Sequence, residues 1–376
     1  MTDYPATPLD TAASSLWATP LQPVGCPLCH TTYLTNPASA NQRPPCPNCA
    51  QTRLDPQPAR LRREPPERVL PFRISPGDAA DALKNFISGV RFPTAQLNLK
   101  HLTDRLQRVY LPMWLLDADV VGNWEAEVGY DYQVKSSRES YSAGGWHTEE
   151  IIETRVRWQP RLGQIQRHYD NVPAPALTDH AILTQLLGQF QLDQSLPYHP
   201  DAVQQALIRI PDQSTEHSFD MARPGLHAAA AAECQQAASG QHIREYEVQA
   251  HYHNLNWTQL LLPVYATRYQ DDDGLRHTVL INGYSGTVVG PRIASPKKGT
   301  RWAIILALLA AALFFFGLLV SVVGIVFPPI IILGLLCMPV ALVQAIAALI
   351  VFFMPRNHNK QERQSVAYRR IPRPAK

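Results

Sequence analysis

Hydrophobic and polar positions follow three different rhythms along this chain. From Leu70 to Pro296 the pattern is mixed. Ser75-Pro76-Gly77-Asp78 opens a helix reaching about Gly89, with Ser75 as cap and Pro76 at the first helical position, where its missing N–H costs nothing. Leu102–Arg108 reads as a short second helix. Val109–Val121 is rich in β-formers, and Gly122-Asn123 has the composition of a hairpin turn. Trp124, Ala126, Val128, Tyr130 and Tyr132 then alternate as one face of a strand. Ile151–Trp158 continues as strand toward a second turn at Gly163. Thr178–Leu192 and Pro224–Ala238 have helical patterns, the first capped by Thr178 and the second ended by Gly240. Strands are expected over His242–Tyr252, Gln259–Gln270, Arg276–Ile281 and Thr287–Val289. Asp271-Asp272-Asp273-Gly274 and Asn282-Gly283 supply their turns. Tyr110-Leu-Pro-Met-Trp114 and Leu261-Leu-Pro-Val-Tyr265 echo each other, as two related units at about 70–175 and 176–296 would, and equally as unrelated hairpins can.

The second rhythm is unbroken apolarity. No side chain from Ala303 to Met354 is charged. Phe327-Pro328-Pro329 divides the stretch into Ala303–Val326 and Ile330–Met354, of 24 and 25 residues. Each exceeds the roughly 20 residues that span a hydrocarbon core, and the paired prolines interrupt the helical ladder. A transmembrane helical hairpin over 302–354 is therefore expected. Ala307/Ala311, Gly317/Ser321 and Ala341/Ala345 follow a four-residue spacing that permits close helix approach and leaves a homo-oligomer open. Gln344 is the only amide in the span and no ionisable group lines it, which argues against a channel or pump.

Charge sharpens this picture. The chain has 34 Lys+Arg against 31 Asp+Glu, a net +3. Residues 1–296 sum to −6, and two basic collars around the apolar block supply the difference. Basic flanks on both sides place both termini in the cytoplasm by the positive-inside rule, and the first 25 residues have no signal-peptide pattern. In the basic tail, 355–376, Arg356, Lys360, Arg363, Arg369 and Arg370 are expected to lie against anionic lipid.

The third rhythm is a Pro-rich N-terminal region holding Cys26-Pro-Leu-Cys29 and Cys46-Pro-Asn-Cys49. Two C-x-x-C knuckles with sixteen residues between them can place four thiolates tetrahedrally around one structural Zn²⁺. A redox dithiol would need a single such pair in a βαβ setting, and disulfides are disfavoured in the cytosol. Four thiolates leave the metal no open position for catalysis. Many such knuckles carry Gly after the second cysteine, where His30 and Ala50 stand here, a departure that weakens the turn. A leader over 1–20, a ribbon over 21–50 and a Pro/Arg-rich solvated linker over 51–69 complete the layout, with the body at 70–296. Cys234 and Cys337 read as small buried apolar residues.

No Walker, Rossmann, H-E-x-x-H or nucleophile-elbow motif is present. His251 and His253 share a strand face without a third ligand in view. The fold class expected is multidomain: a zinc ribbon, an α+β cytosolic body with antiparallel hairpins, and a transmembrane helical hairpin. The knuckles, Tyr110-Leu-Pro-Met-Trp114-Leu-Leu-Asp117-Ala118, Leu262-Pro-Val-Tyr265 and Val279-Leu-Ile-Asn282-Gly-Tyr-Ser-Gly286-Thr-Val-Val-Gly290 together resemble bacterial membrane-anchored TFIIB-type zinc-ribbon proteins. Those are loosely labelled primosomal or helicase-like, and usually carry Gln-Thr-Gly where Tyr284-Ser285-Gly286 stands here. The resemblance implies a scaffold at the bacterial inner membrane, in some members linked to flotillin-like and phage-shock systems. The expected function is a non-enzymatic, membrane-anchored adaptor with unidentified protein partners. The alternative is a membrane-tethered nucleic-acid binder using the ribbon and the Arg60–Arg68 segment.

Overall fold

The computed structural model describes residues 17–57, 65–324 and 328–369. Eleven strands join in one mixed sheet: β1 (Gln22–Gly25), β2 (Thr32–Thr35), β3 (Asp55–Pro56), β4 (Arg68–Val69), β5 (Gln107–Ser142), β6 (Gly145–Ala174), β7 (Leu196–Pro197), β8 (Ala206–Arg209), β9 (His242–Gln270), β10 (Arg276–Asn282) and β11 (Val288–Val289). The helices are α1 (Pro37–Asn41), α2 (Pro76–Ser88), α3 (Leu99–Thr103), α4 (His180–Leu187), α5 (Thr215–Ala238), α6 (Pro296–Gly324), α7 (Pro328–Glu362) and α8 (Val366–Arg369). The chain gathers into two compact units that alternate in sequence. One holds the residues up to Pro112, Asp179–Pro211 and those from Leu260 onward. The other holds Met113–Thr178 and Asp212–Gln259.

In the first unit the spatial order runs β11-β10-β9-β5-β8-β2-β1-β3. β8 lies parallel to β5 (Val109↔Leu207) and antiparallel to β2 (Leu34↔Ile208), so the N-terminal cysteine-bearing strands extend the same sheet. Ser75 caps α2 as its sequence dictates, and Asp78 reciprocates to complete a capping box. The apolar face of α2, with Leu83 and Phe86, packs with Leu97, Leu102, Tyr265, Tyr269 and Ile281. The segment expected as solvated linker ends in the sheet: β4 pairs with Leu260-Leu261 in parallel and with β7 antiparallel. Arg60, Arg62 and Arg63 lie outside the described residues.

The second unit departs from the sequence reading in one consistent way. Gly122-Asn123 and Gly163 make no turns. β5 and β6 run through them in register, Asn123 opposite Gln164 and Trp124 opposite Gly163, and the hairpin closes only at Ala143-Gly144. Each glycine sits where a neighbour leaves no room for a Cβ: the backbone of Gln249 and Ala250 at Gly122, the Trp124 indole at Gly163. β9 is likewise continuous across the expected gap between Tyr252 and Gln259. α5 begins at Thr215, capped by Ser214, so Pro224 lies inside it rather than opening it. Its end is also shifted, because the left-handed residue is Ser239 (φ 48°) and not Gly240. Ala222, Leu226, Ala230, Cys234 and Ala238 recur every fourth residue as the buried stripe of α5, facing Trp124, Val128 and Leu116. Beyond that cover no residue from 131 to 164 is buried, so the outer half of the β5–β6 ribbon is exposed on both faces.

Two smaller shifts occur in the first unit. α4 is shorter than Thr178–Leu192, ending at Gly188 (φ 77°), and Thr178 is not its cap. The second short helix is α3, capped by Asn98, after which Gln107 already begins β5.

α6 and α7 pack against each other along a seam of small residues. The buried positions recur every seventh residue: Ala303, Ala310 and Gly317 on one helix, Gly334, Ala341 and Ala348 on the other. Ala307 and Ala311, expected in the contact by four-residue spacing, are instead exposed and line an open apolar groove of about 890 Å³. The divide at Phe327 lies outside the described residues, and α7 restarts at Pro328. α7 continues beyond the apolar stretch to Glu362 and docks on its own unit. The buried Asn359 side chain accepts from Ala294 N–H (2.8 Å) and donates to Ala294 C=O (2.9 Å). Tyr368 on α8 stacks on buried His277, ring centroids 5.7 Å apart. Of the cations expected against lipid, Arg356 donates to Phe352 C=O and Thr300 Oγ1, and Arg363 approaches Asp273 (3.6 Å). Lys360 and Arg369 are exposed, and Arg370 lies outside the described residues.

Candidate metal centre

Two equivalent turns build the site. β1 delivers Cys26, the first knuckle reverses the chain, and β2 returns alongside β1 (Gly25↔Thr32). Cys26 N–H donates to Thr31 C=O and His30 N–H to Cys26 C=O, both at 3.0 Å. In the second knuckle Cys46 N–H donates to Thr52 C=O and Ala50 N–H to Cys46 C=O, again at 3.0 Å. The Pro45↔Arg53 bridge closes that turn, and β3 then pairs with β1. In both knuckles the residue after the second cysteine takes the left-handed conformation, His30 at φ 55° and Ala50 at φ 57°. The departure from glycine is thus a real conformational cost and leaves the turn geometry intact.

The four sulfurs converge. Cys26 Sγ lies 3.6 Å from Cys49 Sγ and Cys29 Sγ 3.6 Å from Cys46 Sγ, and all four fall within 4.8 Å of one another. Each is a free thiol at distances far beyond a disulfide bond. Tetrahedral metal–sulfur bonds of about 2.3 Å put sulfurs about 3.8 Å apart, so the donor set fits one tetrahedral ion with all positions filled by cysteine. Hydrogen bonds from Cys46 and Cys49 hold the Cys29 thiol far below the usual thiol range. Hydrogen bonding to Cys29 raises Cys46 strongly and pushes Cys49 up to about 12.

Residues outside the C-x-x-C pairs complete the cluster. Cys29 Sγ lies 3.3 Å from Thr31 Oγ1, Cys26 Sγ 3.1 Å from Thr52 Oγ1, and Asn48 Nδ2 donates to Thr31 Oγ1 at 3.0 Å. The Cys26–Thr52 and Asn48–Thr31 contacts cross from one knuckle to the other, so nothing in the local sequence marks Thr52 or Asn48. The second knuckle is keyed to β10: Thr278 Oγ1 donates to Asn48 C=O (3.2 Å), while Gln51 and Arg276 each donate to the other's C=O at 2.7 Å. His30 is exposed. His251 and His253 are exposed on β9, and among the described residues only the four cysteines form a group able to hold a metal. The Asp-rich turn is organised by Asp271, which accepts N–H bonds from Asp273 and Leu275 and pairs with buried His277 at 2.8 Å.

No protein-family model matches the chain, and no curated protein or solved structure is significantly similar to it.

Proposed function

We propose that this chain is a non-enzymatic, membrane-anchored zinc-ribbon scaffold. The carrying observation is the four-thiol cage, whose donor set saturates a Zn²⁺ and which is continuous through β2 and β8 with the central sheet. Zinc there holds structure and supplies no reactive position. The apolar faces of α6 and α7 support insertion in a bilayer: Leu308 (66% exposed), Phe315 and Val343 point away from the protein, and water would not tolerate such a surface. The resemblance to bacterial membrane-anchored ribbon proteins and the basic flanks support a body on the cytoplasmic side of the inner membrane, working in envelope stress or membrane organisation. The exposed outer half of the β5–β6 ribbon, tipped by Tyr141 and Trp146, is the surface offered to a protein partner.

The test is affinity purification from detergent-solubilised membranes of the intact chain and of a variant lacking residues 137–150. The expected result is one zinc per chain and membrane retention in both, with a discrete partner recovered only with the intact chain. Equal recovery by both, or none above background, overturns the scaffold reading.

A further inference from the structure

Behind the second knuckle lies a pocket with abundant positive charge and, among the described residues, no carboxylate paired with it. Arg53, Arg105, Arg268 and Arg276 all line one concave cavity of about 190 Å³ in the first unit. Among the described residues none of the four forms an ion pair. Neutral acceptors hold three of them in place. Arg53 Nη1 donates to Arg43 C=O (3.2 Å), Arg105 Nη1 to Gln96 Oε1 (2.7 Å) and Arg276 Nη1 to Gln51 C=O (2.7 Å). The guanidinium of Arg268, rising from β9 between buried Thr267 and Tyr269, has no described acceptor. Burial, with the charges of Arg105, Arg276 and Arg53 around it, brings Arg268 down to about 10.

Four guanidiniums lining one cavity, Arg105 and Arg268 half-buried and Arg53 and Arg276 exposed at its rim, repel, and folded chains ordinarily neutralise such charge with carboxylates. The described residues provide none here, which leaves room for an anion from outside the protein. We propose that this pocket binds a phosphate group, either free or on a small molecule or lipid headgroup. A carboxylate is satisfied by a single guanidinium fork. A phosphate dianion presents oxygens in several directions and two charges, which suits several forks converging from two strands and two loop segments. The cavity admits one group of that size, and no exposed aromatic for base stacking lines it. The metal centre and this pocket are mechanically linked. Arg53 follows Cys49 out of the second knuckle, and Arg276 is tied to Gln51 within it, so closing the knuckle assembles half of the pocket.

Isothermal titration of the full-length, zinc-loaded chain in neutral detergent tests this. The probes are inorganic phosphate, glycerol 3-phosphate, short-chain phosphatidate and a short single-stranded oligonucleotide, at matched ionic strength. Saturable binding of phosphate or its monoesters is expected, weakened about tenfold or more in Arg268→Gln and Arg105→Gln, with zinc content and far-ultraviolet spectrum unchanged. Arg268→Lys keeps the charge and loses the fork, and falls between. Arg276→Gln, an exposed change, gives the same readout should Arg268→Gln fail to fold. Preference for phosphatidate assigns the source to lipid, and equal affinity for glycerol 3-phosphate assigns it to soluble phosphate. Chelation of the metal abolishes the signal. Absence of binding, a heat unchanged in both glutamine variants, or binding of the oligonucleotide alone overturns the proposal.

Discussion

His30 and Ala50 hold left-handed backbone at the two positions where a knuckle most needs it, and neither is glycine. An L-residue there gives up roughly 1 kcal/mol relative to glycine. His30 is exposed and packs against little, so His30→Gly should stabilise the metal-loaded chain by about 0.5–1 kcal/mol, read as a higher urea midpoint. His30→Val, β-branched, should lower it. A second residue-scale prediction concerns Asp271. Burial raises its carboxyl pKa, but the hydrogen bond and charge of His277 and the N–H groups of Leu275 and Asp273 outweigh burial. The folded value therefore lies below the ordinary 3.8. A carboxylate depressed by folding stabilises fully above pH 3.8, and that contribution is lost as pH falls through the folded value. Asp271→Asn should cost about 1–3 kcal/mol at neutral pH, with the gap from the parent chain narrowing in acid denaturation below about pH 4.

At the scale of elements, spacing and packing part company in the helical hairpin. Of the small pairs four apart, Gly317/Ser321 lies in the contact and Ala307/Ala311 does not, and the buried positions recur every seventh residue, the period of two helices wrapped on each other. A Cβ on Gly317 would sit 2.8 Å from Cys337 Cβ and 3.1 Å from Gly334 C=O. Gly317→Leu should therefore separate the helices and cost about 1–3 kcal/mol, whereas Ala307→Leu, facing the open groove, should be neutral. Thermal denaturation in detergent of the two variants side by side distinguishes a seam from a stripe of frequent small residues. The long strands teach the same lesson. Gly122 and Gly163 read as turns because glycine permits turns, but each serves close approach within a sheet, by Gln249 backbone in one case and Trp124 in the other.

For the whole molecule, the charge partition described an acidic body between basic collars, and the collars turn out to be partly structural. Lys297 Nζ donates to Asp272 C=O (3.0 Å) and Lys298 Nζ to Pro93 C=O (2.7 Å), while the segment after Met354 is fastened through Asn359, Glu362 and Tyr368. The apolar hairpin is thereby joined to its unit at both ends. Asn359→Ala leaves the N–H and C=O of Ala294 buried and unpaired. It should destabilise the docked segment by about 1–3 kcal/mol, seen as faster proteolysis after Met354 with the apolar helices still in the membrane fraction.

The sequence by itself determined the local and periodic features. The four cysteine ligand candidates, the cap of α2, the two apolar stretches and the alternation of Trp124, Ala126 and Val128 were all legible, because each depends on residues a few positions apart. Tertiary structure alone decided which glycines turn and which lie flat, and where the second knuckle leans on β10. It also decided that Arg53, Arg105, Arg268 and Arg276, scattered over more than two hundred residues, face one cavity. Those outcomes depend on steric room and electrostatic proximity between distant segments, and neither leaves a periodic trace along the chain.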